Sequence, residues 1–310
     1  MSKERTILVT GATGAQGGSV AKALLQQGLF AVRILTRNPG SQKAVELKRM
    51  GAEVFVGDMF DETSLEAAMK NCYGVFGVTS YWEHFKKEFS QGMNLVEAVA
   101  ASNVEHFVFH TMPDYKALSG GVLDVPHCDI KALLKSYSQE LRLPATYLQV
   151  AFYYENFLNL FPLKQDQFGT FQFGFPQGHS KLAMVSVEDI GPIVANVFAQ
   201  PENYIGRTLT AVGADETCDT YAAKMTKVLR IPVQYNHIPR DLYRNLGFTG
   251  AAELANFFDV QRVYISNRQK EMRESYELNP KMQTFESWLA KNKERFLAHF
   301  HYQLVEEVIY

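Results

Sequence analysis

The stretch Val9-Thr10-Gly11-Ala12-Thr13-Gly14-Ala15-Gln16-Gly17 closes the first apolar run of the chain and opens an amphipathic segment. A strand over Thr6–Thr10 and a helix over Gly17–Gln27 are expected on either side of it. Glycines at such a junction let the backbone approach a phosphate. The helix start then offers N–H groups without intrahelical partners and the positive end of its dipole. The spacing is G-x-x-G-x-x-G (Gly11, Gly14, Gly17), and its place between the first strand and the first helix adds weight that glycine spacing alone lacks. Such a junction predicts a dinucleotide at the edge of a parallel sheet.

The pattern that follows supports the same architecture. Strands are expected over Val32–Thr36, Glu53–Val56, Gly74–Thr79, His106–Thr111 and Ala145–Val150. Helices are expected over Ser41–Met50, Glu62–Lys70, Lys86–Ser102 and Ile130–Leu141. This alternation predicts an α/β fold of Rossmann type, a doubly wound parallel sheet with helices on both faces. Several strands are almost wholly apolar, as strands covered on both sides are.

After about residue 150 the rhythm changes. Phe168, Phe171, Phe173 and Phe175 mark a strand-and-turn segment and read as the core of a second domain, or as a substrate box. Ser186 opens a helix running to about Ala199, Thr208–Val212 reads as a strand, and Thr217 or Asp219 caps a helix reaching Leu229. Helices over Ala251–Phe258 and Phe285–Lys293 follow. The expected organisation is a dinucleotide-binding domain over residues 1–152, completed by segments within 186–212. A smaller, interleaved α+β domain over 153–310 is expected to cover the carboxyl edge of the sheet.

Composition narrows the partners. The net charge of −2 supplies no general pull toward nucleic acid or an anionic membrane. The three cysteines (Cys72, Cys128, Cys218) are too scattered for a disulfide framework or a metal site. No apolar run approaches the ~20 residues of a membrane span, and no cleavable leader is expected ahead of the first strand. Reduced thiols in the cytoplasm, and also the nucleus, are expected.

The strand ends locate the candidate binding groups. A carboxylate ~20 residues past the glycines would bind the 2′-hydroxyl of NAD; this chain has Thr36-Arg37-Asn38-Pro39 there. Arg37 suits a 2′-phosphate through charge-assisted hydrogen bonds, which favours NADP(H), unless it is a solvated surface charge. Gly57-Asp58-Met59 closes the third strand, where Asp58 either meets the adenine amine or caps a turn. Thr79 and Ser80 end the fourth strand and would let the chain pass under the nicotinamide ribose. Tyr81 and Trp82 stack nearby or pack against the second domain.

Gly11-Ala12-Thr13-Gly14-Ala15-Gln16-Gly17-Gly18, Thr36-Arg37-Asn38-Pro39, Gly57-Asp58, Tyr154-Glu155-Asn156-Phe157 and Leu246-Gly247-Phe248 together resemble the NmrA-like family, in the atypical branch of the short-chain dehydrogenase superfamily. The resemblance runs through nearly the whole chain. It implies a Rossmann domain, a smaller C-terminal domain, NADP(H), and a place for Tyr153, Tyr154, Glu155 and Asn156 beside the nicotinamide. These four could equally be core residues at a strand-to-helix turn. For several members the resemblance also implies a regulatory role, in which the cofactor is sensed and partner proteins are bound without turnover.

Most enzymes of the superfamily use Tyr-x-x-x-Lys on the helix after the fifth strand, where the lysine holds the nicotinamide ribose and lowers the tyrosine pKa. No lysine of this chain has a tyrosine four residues before it; the matching site is His127-Cys128-Asp129-Ile130-Lys131. Lys131 keeps the ribose role, while His127 is an acid–base candidate or a plain helix-start residue. Thr111 or Met112 replaces the usual serine. The long connection from Met112 to Pro126 is expected to order over the nicotinamide. The first expectation is a redox sensor that couples NADP(H) to an unidentified protein partner, with a homodimer as one form of assembly. The alternative is an NADPH-dependent reductase of a quinone or similar acceptor.

Overall fold

The computed structural model describes residues 5–265 and 267–307 and carries side-chain detail up to residue 298. The chain forms two compact units. One holds the described residues up to Val150 together with Val187–Ala211 and Arg273–Pro280. The other holds Ala151–Ser186, Val212–Met272 and the described residues from Lys281 onward.

The first unit is a seven-stranded parallel sheet with helices on its faces. Its strands are β1 (Thr6–Val9), β2 (Ala31–Thr36), β3 (Glu53–Val56), β4 (Cys72–Gly77), β5 (His106–His110), β6 (Ala145–Val150) and β11 (Thr208–Ala211), in the order β11-β6-β5-β4-β1-β2-β3. The order reverses between β1 and β4, so their carboxyl ends diverge into two half-sites at a switch point. Thr10 ties the two ends together: its N–H donates to the Phe76 carbonyl at 3.0 Å, and its hydroxyl accepts from the Val78 N–H at 2.9 Å. β4 and β5 are buried along their whole length, as the apolar runs predict.

Helices α1 (Ala15–Gln27) and α8 (Val187–Ala199) pack together at closest approach where Gly191 meets Ser19. The Gly191 N–H donates to Ser19 Oγ at 3.0 Å, and Ser19 Oγ donates to the Glu188 carbonyl at 3.1 Å. The expected helix after Ser186 and the strand after Thr208 are therefore parts of the dinucleotide-type unit. So is Arg273–Pro280, which no sequence signal assigned there. On the other face, α3 (Glu62–Met69), α5 (Glu88–Ala100) and α7 (Pro126–Glu140) enclose Phe107, Phe109, Leu95, Val96 and Leu134, all fully buried.

The second unit has two small sheets, ordered β12-β10-β7 and β13-β9-β8. Their strands are β7 (Phe152–Tyr153), β8 (Lys164–Gln165), β9 (Phe171–Phe175), β10 (Lys181–Val185), β12 (Ala214–Thr217) and β13 (Val233–His237). β9 alternates strictly, so Phe171, Phe173 and Phe175 are buried on one face. Phe175 stacks on Phe258 of α12 (Ala251–Tyr264) with ring centroids 4.5 Å apart. Phe168 is a correction to the expected aromatic cluster: it lies on the turn before β9 and is 82% exposed. Thr217, not Asp219, caps α10 (Cys218–Leu229), its hydroxyl accepting from the Thr220 N–H. α14 (Phe285–Glu307) is longer than its apolar spacing predicts. Among the described residues, no helix is long and apolar enough to cross a membrane, and no cluster of acid, histidine and cysteine side chains is arranged to hold a metal.

Candidate functional site

The glycine turn lies at the switch point. Gly11 has φ +58°, a left-handed conformation that glycine adopts without strain, and the Gly14 N–H returns to its carbonyl at 2.8 Å. A Cβ on Gly17 would run into the Gly11 carbonyl and lie 2.6 Å from the Thr10 oxygen. The turn can therefore press against the helix start only because Gly17 has no side chain. Helix α1 begins behind Gly14 with no capping side chain and no acid in its first turn. Its first turn thus brings no negative charge of its own, which suits an anion such as a pyrophosphate. Ala12 and Gln16 are buried, Thr13 is half-buried, and Gly14 and Ala15 are exposed.

At the end of β2, a hydrogen-bonded turn carries Arg37. Asn38 N–H donates to Thr36 Oγ1 and Gly40 N–H to Asn38 Oδ1, after which Ser41 caps α2 (Gln42–Arg49). Arg37 is exposed, and its Nη2 pairs with Glu83 Oε1 at 2.8 Å. Lys43, which sequence reasoning passed over, reaches back from α2 to donate to the Thr13 carbonyl at 2.9 Å. Two cations thus flank the turn, one at each end of the β2–α2 connection.

Asp58 is half-buried and accepts from the Phe60 N–H at 3.0 Å, so it makes the turn that was its structural alternative and keeps its other oxygen for a donor. Met59 packs its side chain against the sheet core, and its carbonyl accepts from Asn94 Nδ2. Ser80 is exposed at the start of α4 (Tyr81–His84). Tyr81 is buried, and its ring centroid lies 5.3 Å from that of Trp82 and 6.0 Å from that of His127.

Helix α7 starts at Pro126, four residues before the sequence-based boundary, because proline at the first helical position needs no N–H partner. His127 therefore stands in the first turn, half-buried, with its ring 5.3 Å from that of Trp82. Lys131, one turn on, is buried. Its ammonium pairs with Glu88 Oε1 and donates to Thr79 Oγ1 at 3.2 Å, and Thr79 Oγ1 in turn donates to Glu88 Oε1 at 2.6 Å. Glu88 is wholly buried. It stands in the charged run Glu83-His84-Phe85-Lys86-Lys87-Glu88, where no local signal distinguishes it. Thr111, not Met112, holds the strand-end hydroxyl, and it donates to the Lys131 carbonyl at 3.0 Å. Beside this cluster, burial first and the Lys131 charge second push the His110 pKa well below its usual value, which keeps the imidazole neutral.

The connection expected to be a loop contains a short helix, α6 (Tyr115–Leu118), capped by Asp114. Asp129 holds it down, accepting from the Lys116 N–H at 3.0 Å and the Val125 N–H at 2.7 Å. The segment is thus tied to the first turn of α7 by hydrogen bonds. Tyr153, Tyr154, Glu155 and Asn156 belong to the second unit. There Tyr154 is fully buried, 5.0 Å from Phe285 and 5.4 Å from Trp288 by ring centroids, which makes its side chain part of that unit's core. Glu155 Oε1 accepts from Ser186 Oγ at 2.9 Å and from Trp288 Nε1 at 3.0 Å. Tyr153 and Asn156 are half-buried.

Residues 3–289 match the model of the NmrA-like family. The chain is 31% identical over 254 residues to the NmrA-like family domain-containing oxidoreductase FrzB of Cladobotryum sp., covering 75% of this chain and 76% of that one. It is 34% identical over 223 residues to the oxidoreductase hkm9 of Aspergillus hancockii, covering 66% of this chain and 67% of that one. Among solved structures, NmrA, a negative transcriptional regulator in complex with NADP, superposes with a TM-score of 0.79 at 19% identity, over 93% of this chain and 95% of that one. The NADPH-dependent quinone oxidoreductase QOR2 of Escherichia coli, complexed with NADPH, gives 0.74 at 20% identity, over 92% and 99%. The fold is thus one that serves regulators and oxidoreductases alike, and the chain belongs to the NmrA-like family.

Proposed function

We propose that this chain binds NADP(H) at the carboxyl edge of its parallel sheet and couples the state of the nucleotide to the binding of a protein partner. The pyrophosphate lies at the Gly11–Gly17 turn and the start of α1. Arg37, with Lys43 near it, takes the 2′-phosphate; Asp58 and Met59 border the adenine; Thr79, Ser80, Tyr81 and Lys131 border the nicotinamide half. Backbone packing that excludes a Cβ at Gly17 supports the nucleotide. So does the NADP bound to a solved protein of the same fold.

The observation that carries sensing over catalysis is the state of Lys131. Its ammonium is buried against the Glu88 carboxylate and the Thr79 hydroxyl, and no tyrosine stands four residues before it. A phenol held beside a free ammonium, the usual proton donor of the superfamily, is not built here. A partner that prefers one conformation then reads the nucleotide by linkage. The partner is a protein, met in the cytoplasm or nucleus, and a second copy of the chain belongs among the candidates.

The second reading, an NADPH-dependent reductase, draws support from the relatives named as oxidoreductases and from the quinone oxidoreductase of the same fold. Hydride transfer needs positioning more than a dedicated acid, and His127 is the one imidazole at the start of α7. NADPH consumption over a panel of quinones and carbonyls separates the two. Sensing predicts no turnover above background and partner affinity that differs between NADP⁺ and NADPH. Robust turnover lost in His127→Ala would establish the reductase instead.

The Arg37–Glu83 pair yields a further expectation. Exposed pairs contribute ~0–1 kcal/mol, so a 2′-phosphate displaces Glu83 at small cost. Glu83→Gln removes the competitor and lowers the NADPH Kd by about threefold, with NADH unchanged. Isothermal titration with both nucleotides reads this directly, and an unaltered NADPH Kd would show that Glu83 does not compete.

A further inference from the structure

The Glu88–Lys131–Thr79 cluster has charge properties that go beyond holding a lysine in place. Glu88 and Lys131 are both buried and opposite in charge, so the pair is neutral as a whole. Glu88 Oε1 takes both donors, and Glu88 Oε2, also buried, meets no donor among the described residues. Lys131 uses its ammonium on Glu88 Oε1 and Thr79 Oγ1, which leaves one of its three N–H groups over. The neighbouring His110 imidazole is neutral and adds no charge. Removing either partner of such a pair leaves an uncompensated charge in a poorly solvated place.

The position of the pair gives that charge a consequence. In a doubly wound sheet the two nucleotide halves bind on either side of the switch point. Arg37 and Asp58 end β2 and β3 in one half. Thr79 follows β4, and Lys131 lies on the helix after β5, in the other half, which receives the nicotinamide. The oxidised nicotinamide ring is a cation and the reduced ring is neutral. The net charge of this half-site therefore acts on one redox state and not on the other.

We propose that Glu88 is a specificity-determining residue: by cancelling the Lys131 charge it lets the cationic oxidised nucleotide bind, and so sets the balance between NADP⁺ and NADPH. The proposal rests on the nucleotide-binding reading above. It assigns to a residue that makes no hydrogen bond to the turn or to Arg37 the property a redox sensor needs most, a defined ratio of affinities for the two states.

Titration of the full chain with NADP⁺ and with NADPH tests this. Glu88→Gln leaves Lys131 uncompensated and raises the NADP⁺ Kd about tenfold relative to the NADPH Kd, the size expected of one charge at close range in a partly screened site. Adding Lys131→Met to Glu88→Gln removes the charge again and returns the ratio to within about threefold of wild type. An equal loss of affinity for both nucleotides in Glu88→Gln, with the ratio intact, would mean a purely structural role and overturn the proposal. Should Glu88→Gln not fold alone, Lys131→Met is compared with the double variant. The two differ only in the carboxylate, so Lys131→Met must favour NADP⁺ more strongly, and equal ratios overturn the proposal. A wild type that binds neither nucleotide would refute the nucleotide-binding reading itself, whereas tight NADPH binding with unmoved ratios refutes only the role of Glu88.

Discussion

Arg37→Asp raises the Kd for NADPH by about a hundredfold and leaves the Kd for NADH within about threefold of wild type. Two effects add. The charge-assisted bonds from the guanidinium to the 2′-phosphate, ~1.5–3 kcal/mol, are lost. The new carboxylate then stands beside Glu83, which the structure places 2.8 Å from the Arg37 guanidinium, so two negative charges face a dianion. NADH has a hydroxyl in place of the phosphate and meets no such repulsion; a carboxylate at the end of the second strand is the usual partner of that hydroxyl. Titration with both nucleotides settles it. A matching loss for NADH, or less than a threefold change for NADPH, would remove Arg37 from the phosphate site.

Gly17→Val abolishes nucleotide binding and destabilises the first unit. A Cβ at Gly17 meets backbone atoms of Thr10 and Gly11, not the flexible end of a side chain. Either α1 moves off the sheet or the turn opens, and each removes the surface proposed to receive the pyrophosphate. Overpacking of this kind costs ~1–3 kcal/mol, and the branched valine belongs at the top of that range. Gly28→Ala is the control. Gly28 lies at the other end of α1 with φ +70° and open space around its Cβ position, so alanine there strains one residue and leaves the turn alone. The expected result is a lower melting temperature for both variants, with NADPH binding lost only in Gly17→Val. Retained binding in Gly17→Val would show that the nucleotide does not need the close turn.

Much of the first unit was legible because periodicity and turn chemistry are local. Apolar runs of four to six residues ended by glycine or polar residues placed β1 to β6, and the Thr10–Gly17 junction placed α1 within two residues. Within the first unit, the boundary that differs most is the start of α7. The apolar spacing places that start at Ile130, but Pro126 suits the first helical position, so the helix opens four residues earlier and takes in His127. The aromatic segment was half legible: alternation identified Phe171, Phe173 and Phe175 as a buried face, while Phe168 fell on the turn before the pattern started.

The site divides in the same way. Gly11, Gly14, Gly17 and Arg37 could be proposed from the sequence because each depends on a conformation or a charge at a fixed distance from a strand end. Glu88, Glu83 and Lys43 could not, because each acts on a residue distant in sequence. The parallel α/β fold, the glycine turn and the missing tyrosine before Lys131 all follow from neighbours along the chain. That Lys131 is a neutralised, buried cation emerges only in the folded chain. Its carboxylate comes from 43 residues away, and only the packing of α5 beside α7 brings the two charges out of water together.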